Sequence, residues 1–372
     1  MSVYLDNAAA APCDPQLIEH LAEYAREFPG NQESMGYHGA AAAHRIGEAG
    51  ERLTAAFGFR NCRPVYANTG TEVLAVAVET ACRCCRKKEI VTTSLEHPAL
   101  EQALKRSCAR YGLRLRVCPA DRSGVRMDQL EELLTPETGL VAVHHVQSET
   151  GGILDPAAVR ALIDRKAAGA LLLTDTMQSI GKLPLDPGAV RADFTVLSGQ
   201  KIGAPGGAVL FCAEPYWKTA KALRSAEHFG GRCPVPLLLT LADAAVQAAE
   251  TLTEHLDQAR SLKRQLLDEL RRELPEIRPS LPEEKTSPYI LHLLTAPYQG
   301  AILTRALQLH QISTAPGSAC ESETPGGSRV LTAMGYSRRE SFCGLRVSFW
   351  KENTAGEVHS FAGKLAECIR AY

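Results

Sequence analysis

Apolar positions along this chain recur in two periods, and the two alternate. Leu17, Ile18, Leu21 and Ala25 share one face of a helix predicted over 15–26, because side chains three or four residues apart stack on a helix surface. Phe28-Pro29-Gly30-Asn31 breaks that pattern, and 40–57 reads as a second, Ala-rich helix stopped by Gly58. Short β-branched or apolar runs then trade places with helical stretches. Strands are predicted at 65–67, 89–93, 113–117, 140–146, 171–175, 194–197 and 208–211, and helices at 73–86, 98–111 and 156–168. Runs such as Leu171-Leu172-Leu173 are apolar at successive positions, which suits strands covered on both faces. The alternation predicts an α/β domain with a mostly parallel seven-stranded sheet flanked by helices, and functional loops at the strands' carboxyl ends.

Past this region the pattern changes. The segment 236–274 reads as almost wholly helical, long enough to hold a break. Strands at 289–294 and 345–349 and helices at 300–309 and 356–369 predict a smaller α/β domain. The expected division is a large domain over 13–254 and a small C-terminal domain over 255–372, joined by the N-terminal segment 1–12.

Charge narrows the partners. Lys plus Arg is 41 and Asp plus Glu is 42, a net charge of -1, so no electrostatic case arises for direct nucleic-acid or membrane binding. With no membrane-spanning run or export leader in view, the expected location is the cytoplasm. The 12 Cys therefore read as free thiols. Cys82, Cys84 and Cys85 would fall on one helix without a matching second pair, and no metal site is expected.

A few residues stand out for their setting. Lys201 lies in the Gly-rich segment Ser198-Gly199-Gln200-Lys201-Ile202-Gly203 between two strands, which suits either a surface charge or positioned amine chemistry. Asp175 ends an apolar strand, where an acid can bind a metal, cap a helix or pair with a cofactor nitrogen. His97, after the 89–93 strand, is a loop histidine, a ring-stacking group or a proton carrier. Asn68-Thr69-Gly70-Thr71-Glu72 is a capped helix start or an anion cradle. Cys320 sits in a polar Gly- and Ser-containing segment, as a surface thiol or as one able to reach a substrate. Arg346, inside a strand, faces water or grips a carboxylate. His144-His145 end a buried strand, and only one of them can face a given side.

Taken in order over nearly the whole chain, these pieces resemble the fold-type I pyridoxal phosphate enzymes of the class V aminotransferase superfamily, and more closely the NifS/IscS-like cysteine desulfurases. Tyr4-Leu5-Asp6-Asn7-Ala8-Ala9 is similar to the family's start, and Gly30-Asn31-Gln32-Glu33-Ser34 to the loop that follows, with the usual Pro-Ser altered. The resemblance implies that Gly70, Thr71 and Ser198 hold the phosphate, His97 stacks on the ring, Asp175 pairs with the ring nitrogen and Gln178 holds the phenolic oxygen. It makes Lys201 the lysine that links to the cofactor. Cys320, in Gly317-Ser318-Ala319-Cys320, becomes the sulfur-accepting thiol, and Asn31 and Arg346 bind substrate.

Three positions depart from the family. Gln200 stands where a His usually precedes the lysine, and Ser148 stands where an Asn usually meets the ring oxygen. The 228–236 segment lacks the Gly-Thr whose Thr crosses the dimer interface to the phosphate. Gln200 and Ser148 remain cofactor-binding candidates. The implied activity converts L-cysteine to L-alanine, with sulfur passed to Cys320 as a persulfide and then to an acceptor protein, in a homodimer. The alternatives are a selenocysteine lyase or cyst(e)ine β-lyase, and a weakly active scaffold in a sulfur-transfer complex.

Overall fold

The computed structural model describes residues 2–225, 232–317 and 327–372. Its centre is a seven-stranded sheet of β1 (Cys62–Ala67), β2 (Glu89–Thr93), β3 (Arg114–Cys118), β4 (Thr138–His144), β5 (Leu171–Asp175), β6 (Phe194–Ser198) and β7 (Ala208–Ala213). The spatial order is β1-β7-β6-β5-β4-β2-β3. Every pairing is parallel except those of β7, which runs antiparallel to both β1 and β6. Strands β2, β4, β5 and β6 are buried at every position, as continuous apolar runs require when helices cover both faces.

Helices α1 (Pro15–Glu27), α2 (Tyr37–Ala56), α3 (Gly70–Cys84), α4 (Pro98–Tyr111), α5 (Pro156–Lys166), α6 (Val235–Glu250), α7 (Leu252–Glu273) and α8 (Ala355–Arg370) are eight of the helices among the described residues. α1, α4 and α5 start with Pro at a first-turn position behind an Asp or His cap, where the ring's missing N–H costs nothing. The helical run predicted over 236–274 is two helices whose axes bend by 70°. Thr251, with φ of -97° and ψ of 8°, is the break. A further helix over Glu214–Ser225 has no counterpart in the sequence reading. It lies against α3 and β1, and Trp217 and Tyr216 pack onto the same core as α3.

A three-stranded sheet follows, of β8 (Arg278–Pro279), β9 (Ile290–Leu294) and β10 (Gly344–Ser348) in that spatial order. Leu293, Leu345, Val347, Phe361 and Leu365 form its apolar core with α7 and α8. The N-terminal segment packs into this part: Val3 and Leu5 belong to the same cluster, and Val3–Tyr4 pairs in parallel with Ile312–Ser313. The chain's first residues thus cross from this second core to the carboxyl ends of the large sheet. Ala11 N bonds to Gln200 O at 2.8 Å there.

Candidate active site

The carboxyl ends of β1, β2, β4, β5 and β6 open onto one cavity of about 380 Å³. Gly70, Thr71, His97, Ser148, Asp175, Gln178, Ser198, Gln200, Lys201 and Arg346 all line it. These residues are spread over some 280 positions of sequence; all but Arg346 meet because parallel strands end on the same edge, and Arg346 reaches the cavity from β10 of the smaller sheet.

α3 brings its N-terminus to this wall. Thr69 caps it through a capping box: Thr69 Oγ1 accepts from Glu72 N at 3.2 Å, and Glu72 Oε2 accepts from Thr69 N at 3.2 Å and Asn68 N at 2.7 Å. This exchange moves the helix start three residues ahead of the predicted 73–86. The amides of Gly70 and Thr71 come first in the helix, where an N–H has no intrahelical acceptor. A Cβ at Gly70 would stand 2.9 Å from Met177 Cε and 3.5 Å from Ser198 Cβ, so a larger residue there would crowd the wall. The helix N-terminus, the Thr71 hydroxyl and the Ser198 hydroxyl could together hold an anion.

Lys201 follows β6 in a short 3-10 turn, Gly199–Lys201. Its Nζ donates to Ala8 O at 3.0 Å and to Ala9 O, so the N-terminal segment carries the lysine's acceptors. Ala8 O also accepts from Gln178 Nε2 at 2.8 Å, and Gln178 Oε1 accepts from Lys182 Nζ at 3.4 Å. Lys182 is buried, its ammonium 5.2 Å from the Trp350 ring and 5.9 Å from Tyr289. Burial, with Lys201 and Arg346 nearby, pushes it down to about 7.

Asp175 Oδ1 accepts from Met177 N at 3.0 Å. Burial raises the carboxyl to about 6, against the drawing-down effect of that bond, His144 and Lys201. His97 caps α4, its Nδ1 accepting from Ala99 N at 3.1 Å. The ring proton therefore sits on Nε2. Burial, Lys201 and Arg329 push His97 down to about 4, so it is neutral at pH 7. Arg329 donates to Ser94 O at 3.1 Å and Glu96 O at 2.6 Å, holding the loop that carries His97.

Arg346 is 2% exposed. Its guanidinium donates to Asp6 Oδ1 at 2.7 Å and to Ser148 O at 2.8 Å. Ser148 contributes this carbonyl from a turn built by Gln147, whose Oε1 accepts from Glu149 N at 2.7 Å and Thr150 N at 2.6 Å. Gln200 lines the cavity from the residue before Lys201.

Asn31 lies elsewhere. It lines a separate hollow with Gly30, Gln32 and Cys233, and its Oδ1 accepts from Glu33 N at 3.0 Å. Its side chain is spent on its own turn, so within this chain it is not part of the cavity. Cys320, the 228–231 stretch and the rest of 318–326 lie outside the described residues. The flanks of the Cys320 segment are described: Ala315 exchanges backbone bonds with Arg346, and Ser328 Oγ donates to Glu149 Oε1 at 2.5 Å. Among the described residues no cluster of three or more His, Cys, Asp or Glu is placed to hold a metal ion.

Sequence reasoning gave no task to Asp6, Glu96, His144 or Lys182, nor to the carbonyls of Ala8 and Ala9. His144 was visible only as one of a pair at a strand end. The period of two does separate that pair: His144 lines the cavity and His145 does not.

Comparison with known proteins adds three findings. The family model for class-V aminotransferases matches residues 3–361. A cysteine desulfurase of Trichormus azollae is 26% identical over 377 residues, covering 99% of this chain and 92% of that protein, and the human cysteine desulfurase is 27% identical over 384 residues, covering 99% and 82%. A solved NifS-like protein superposes over 100% of both chains with a TM-score of 0.89 at 25% identity.

Proposed function

The chain belongs to the class-V aminotransferase family of fold-type I enzymes, and from that membership we propose that it is a pyridoxal 5'-phosphate-dependent cysteine desulfurase. In this reading L-cysteine is converted to L-alanine, and the sulfur passes to Cys320 and then to an acceptor protein. The observation that carries the reading is the convergence of Lys201, Asp175 and the N-terminus of α3 on one cavity.

The residues fit the cofactor. An amine stands ready for its aldehyde, a buried carboxylate for its ring nitrogen, and a helix N-terminus with two hydroxyls for its phosphate. Gln178 turns its carbonyl to Lys182, which leaves the amide N–H groups for Ala8 O and for the phenolic oxygen. Bound there, pyridoxal phosphate supplies an electron sink for charge developing at the substrate α-carbon.

The chain's own groups do the rest. Lys201 takes the α-proton and returns it, with Ala8 O and Ala9 O as resting acceptors for its Nζ. Arg346 binds the substrate carboxylate with the planar fork that suits two oxygens, and it gives up or shares Asp6 to do so. His97, neutral and with its proton on Nε2, offers a ring face and a donor without adding charge. Cys320 attacks the substrate sulfur as a thiolate, the nucleophilic form. The backbone pairing of Ala315 with Arg346 supports this role, because it joins one flank of the Cys320 segment to a residue that lines the cavity. A homodimer is part of the same reading.

The test is the carbon product. The cofactor-loaded protein is incubated with L-cysteine and a reductant. Alanine with sulfide supports desulfuration, whereas pyruvate with ammonia assigns a β-lyase, and no product refutes both.

A further inference from the structure

The cavity wall holds a histidine that the reaction above does not use. His144 ends β4, Asp175 ends β5, and the two are register partners on adjacent parallel strands. Both are buried and both line the cavity. On its other side His144 Nδ1 lies 2.9 Å from Glu96 Oε1, which also accepts from Thr93 Oγ1 at 2.5 Å. Glu96 is 1% exposed, and its Oε2 is buried with no hydrogen-bond partner.

Two carboxylates are thus buried on either side of one imidazole. Without a cation between them, desolvation and mutual repulsion would leave at least one protonated. The other charged groups facing this cluster are few. Lys201 faces Asp175 from the turn after β6, Arg329 reaches Glu96 through its backbone carbonyl, and His97, neutral, faces Glu96 from the start of α4. His145, next on β4, is pushed down to about 4 by burial and by His144.

Resting on the functional reading above, we propose that His144 is a positioning residue: fixed by Glu96, its imidazolium keeps Asp175 an anion toward the ring nitrogen of the bound cofactor. Burial by itself works against a charged His144, but Glu96 and Asp175 outweigh it and hold its basicity above the ordinary histidine value. The arrangement gives Glu96 a task besides preceding His97. It also makes the cluster a single unit, in which loss of the imidazole removes the charge that balances Asp175.

The test compares two ligands on the cofactor-free chain: pyridoxal phosphate, and its 1-deaza analogue with carbon in place of the ring nitrogen. His144→Gln weakens pyridoxal phosphate binding about tenfold, the equivalent of one pKa unit at Asp175, and leaves the analogue's affinity unchanged. Equal weakening of both ligands, or of neither, overturns the proposal. A wild-type chain that binds neither ligand overturns the functional reading and this inference with it. If His144→Gln does not fold, nitrogen NMR of the ¹⁵N-histidine-labelled wild type decides. In a pH titration one ring keeps its second proton to higher pH than an ordinary histidine, and it loses that advantage in Glu96→Gln. A wild type in which no ring titrates above the ordinary histidine range overturns the proposal.

Discussion

Arg346 and Asp6 are joined at 2.7 Å across 340 residues of sequence. The bond ties strand β10 of the smaller sheet to the N-terminal segment that also supplies the acceptors of Lys201. One salt bridge therefore links the group proposed to bind the substrate carboxylate with the segment that accepts from the Lys201 amine.

Arg346→Lys tests that link. Lysine keeps the charge but loses the fork and cannot hold Asp6 and Ser148 O together. The KM for L-cysteine is expected to rise by roughly tenfold to a hundredfold, the loss of a charged hydrogen bond of about 1.5–3 kcal/mol, with a much smaller change in cofactor affinity. Steady-state kinetics beside a cofactor titration separates the two.

Lys201→Ala should still bind pyridoxal phosphate through the α3 corner and Asp175, but without a covalent link. Borohydride reduction followed by mass spectrometry is expected to fix the cofactor to the wild-type chain and not to the variant. Alanine formation is expected to be lost with it.

Asp175 connects function to stability with a definite sign. Its folded value of about 6 lies above the ordinary 3.8, so the folded chain holds the proton more tightly than the unfolded one. Ionising it costs stability as pH rises from about 4 to about 6, and the full cost persists above that window. Cofactor-free Asp175→Asn is expected to be more stable than wild type at pH 7 by roughly 2–3 kcal/mol, with the difference vanishing near pH 4. The same variant should bind pyridoxal phosphate more weakly. Thermal melts at the two pH values, with a cofactor titration, check both halves.

Lys182 behaves in the opposite sense. Its folded value of about 7 lies below the ordinary 10.5, so the stability it contributes at high pH is lost as pH falls from about 10.5 to about 7, where the unfolded chain takes up the proton first. The melting temperature of the cofactor-free wild type should therefore rise with pH across that window, relative to Lys182→Met. An identical slope in both proteins would show that Lys182 is hydrated in solution.

The parts of this molecule that follow from local pattern are readable in the chain. Pro98 behind His97 sets one helix start, and the leucines of 171–173 leading to Asp175 give a buried strand with an acid at its end. Lys201, Asp175, His97 and Gly70 stand at or just past strand ends, at positions that follow from the parallel sheet. What is not readable depends on distant partners. Ala8 and Ala9 look like helix or filler residues until Lys201 is seen to donate to their carbonyls. Lys182 looks like a surface charge, yet it is buried, donates to Gln178 and lies beside the Trp350 and Tyr289 rings. His144 acquires meaning only from Glu96 on one side and Asp175 on the other. Asn31 carried a family expectation, but its side chain closes a local turn away from the cavity.

The central claim is that carbon–sulfur cleavage and sulfur transfer to Cys320 are one event. A single turnover of the cofactor-loaded protein with ³⁵S-labelled L-cysteine measures it directly, by counting alanine released and label on the peptide that contains Cys320. The account predicts equal amounts of both in the wild type and neither in Cys320→Ala, whose cofactor absorption stays as in the wild type. Alanine or pyruvate formed at an undiminished rate by Cys320→Ala, or label absent from the Cys320 peptide while alanine accumulates, would contradict it.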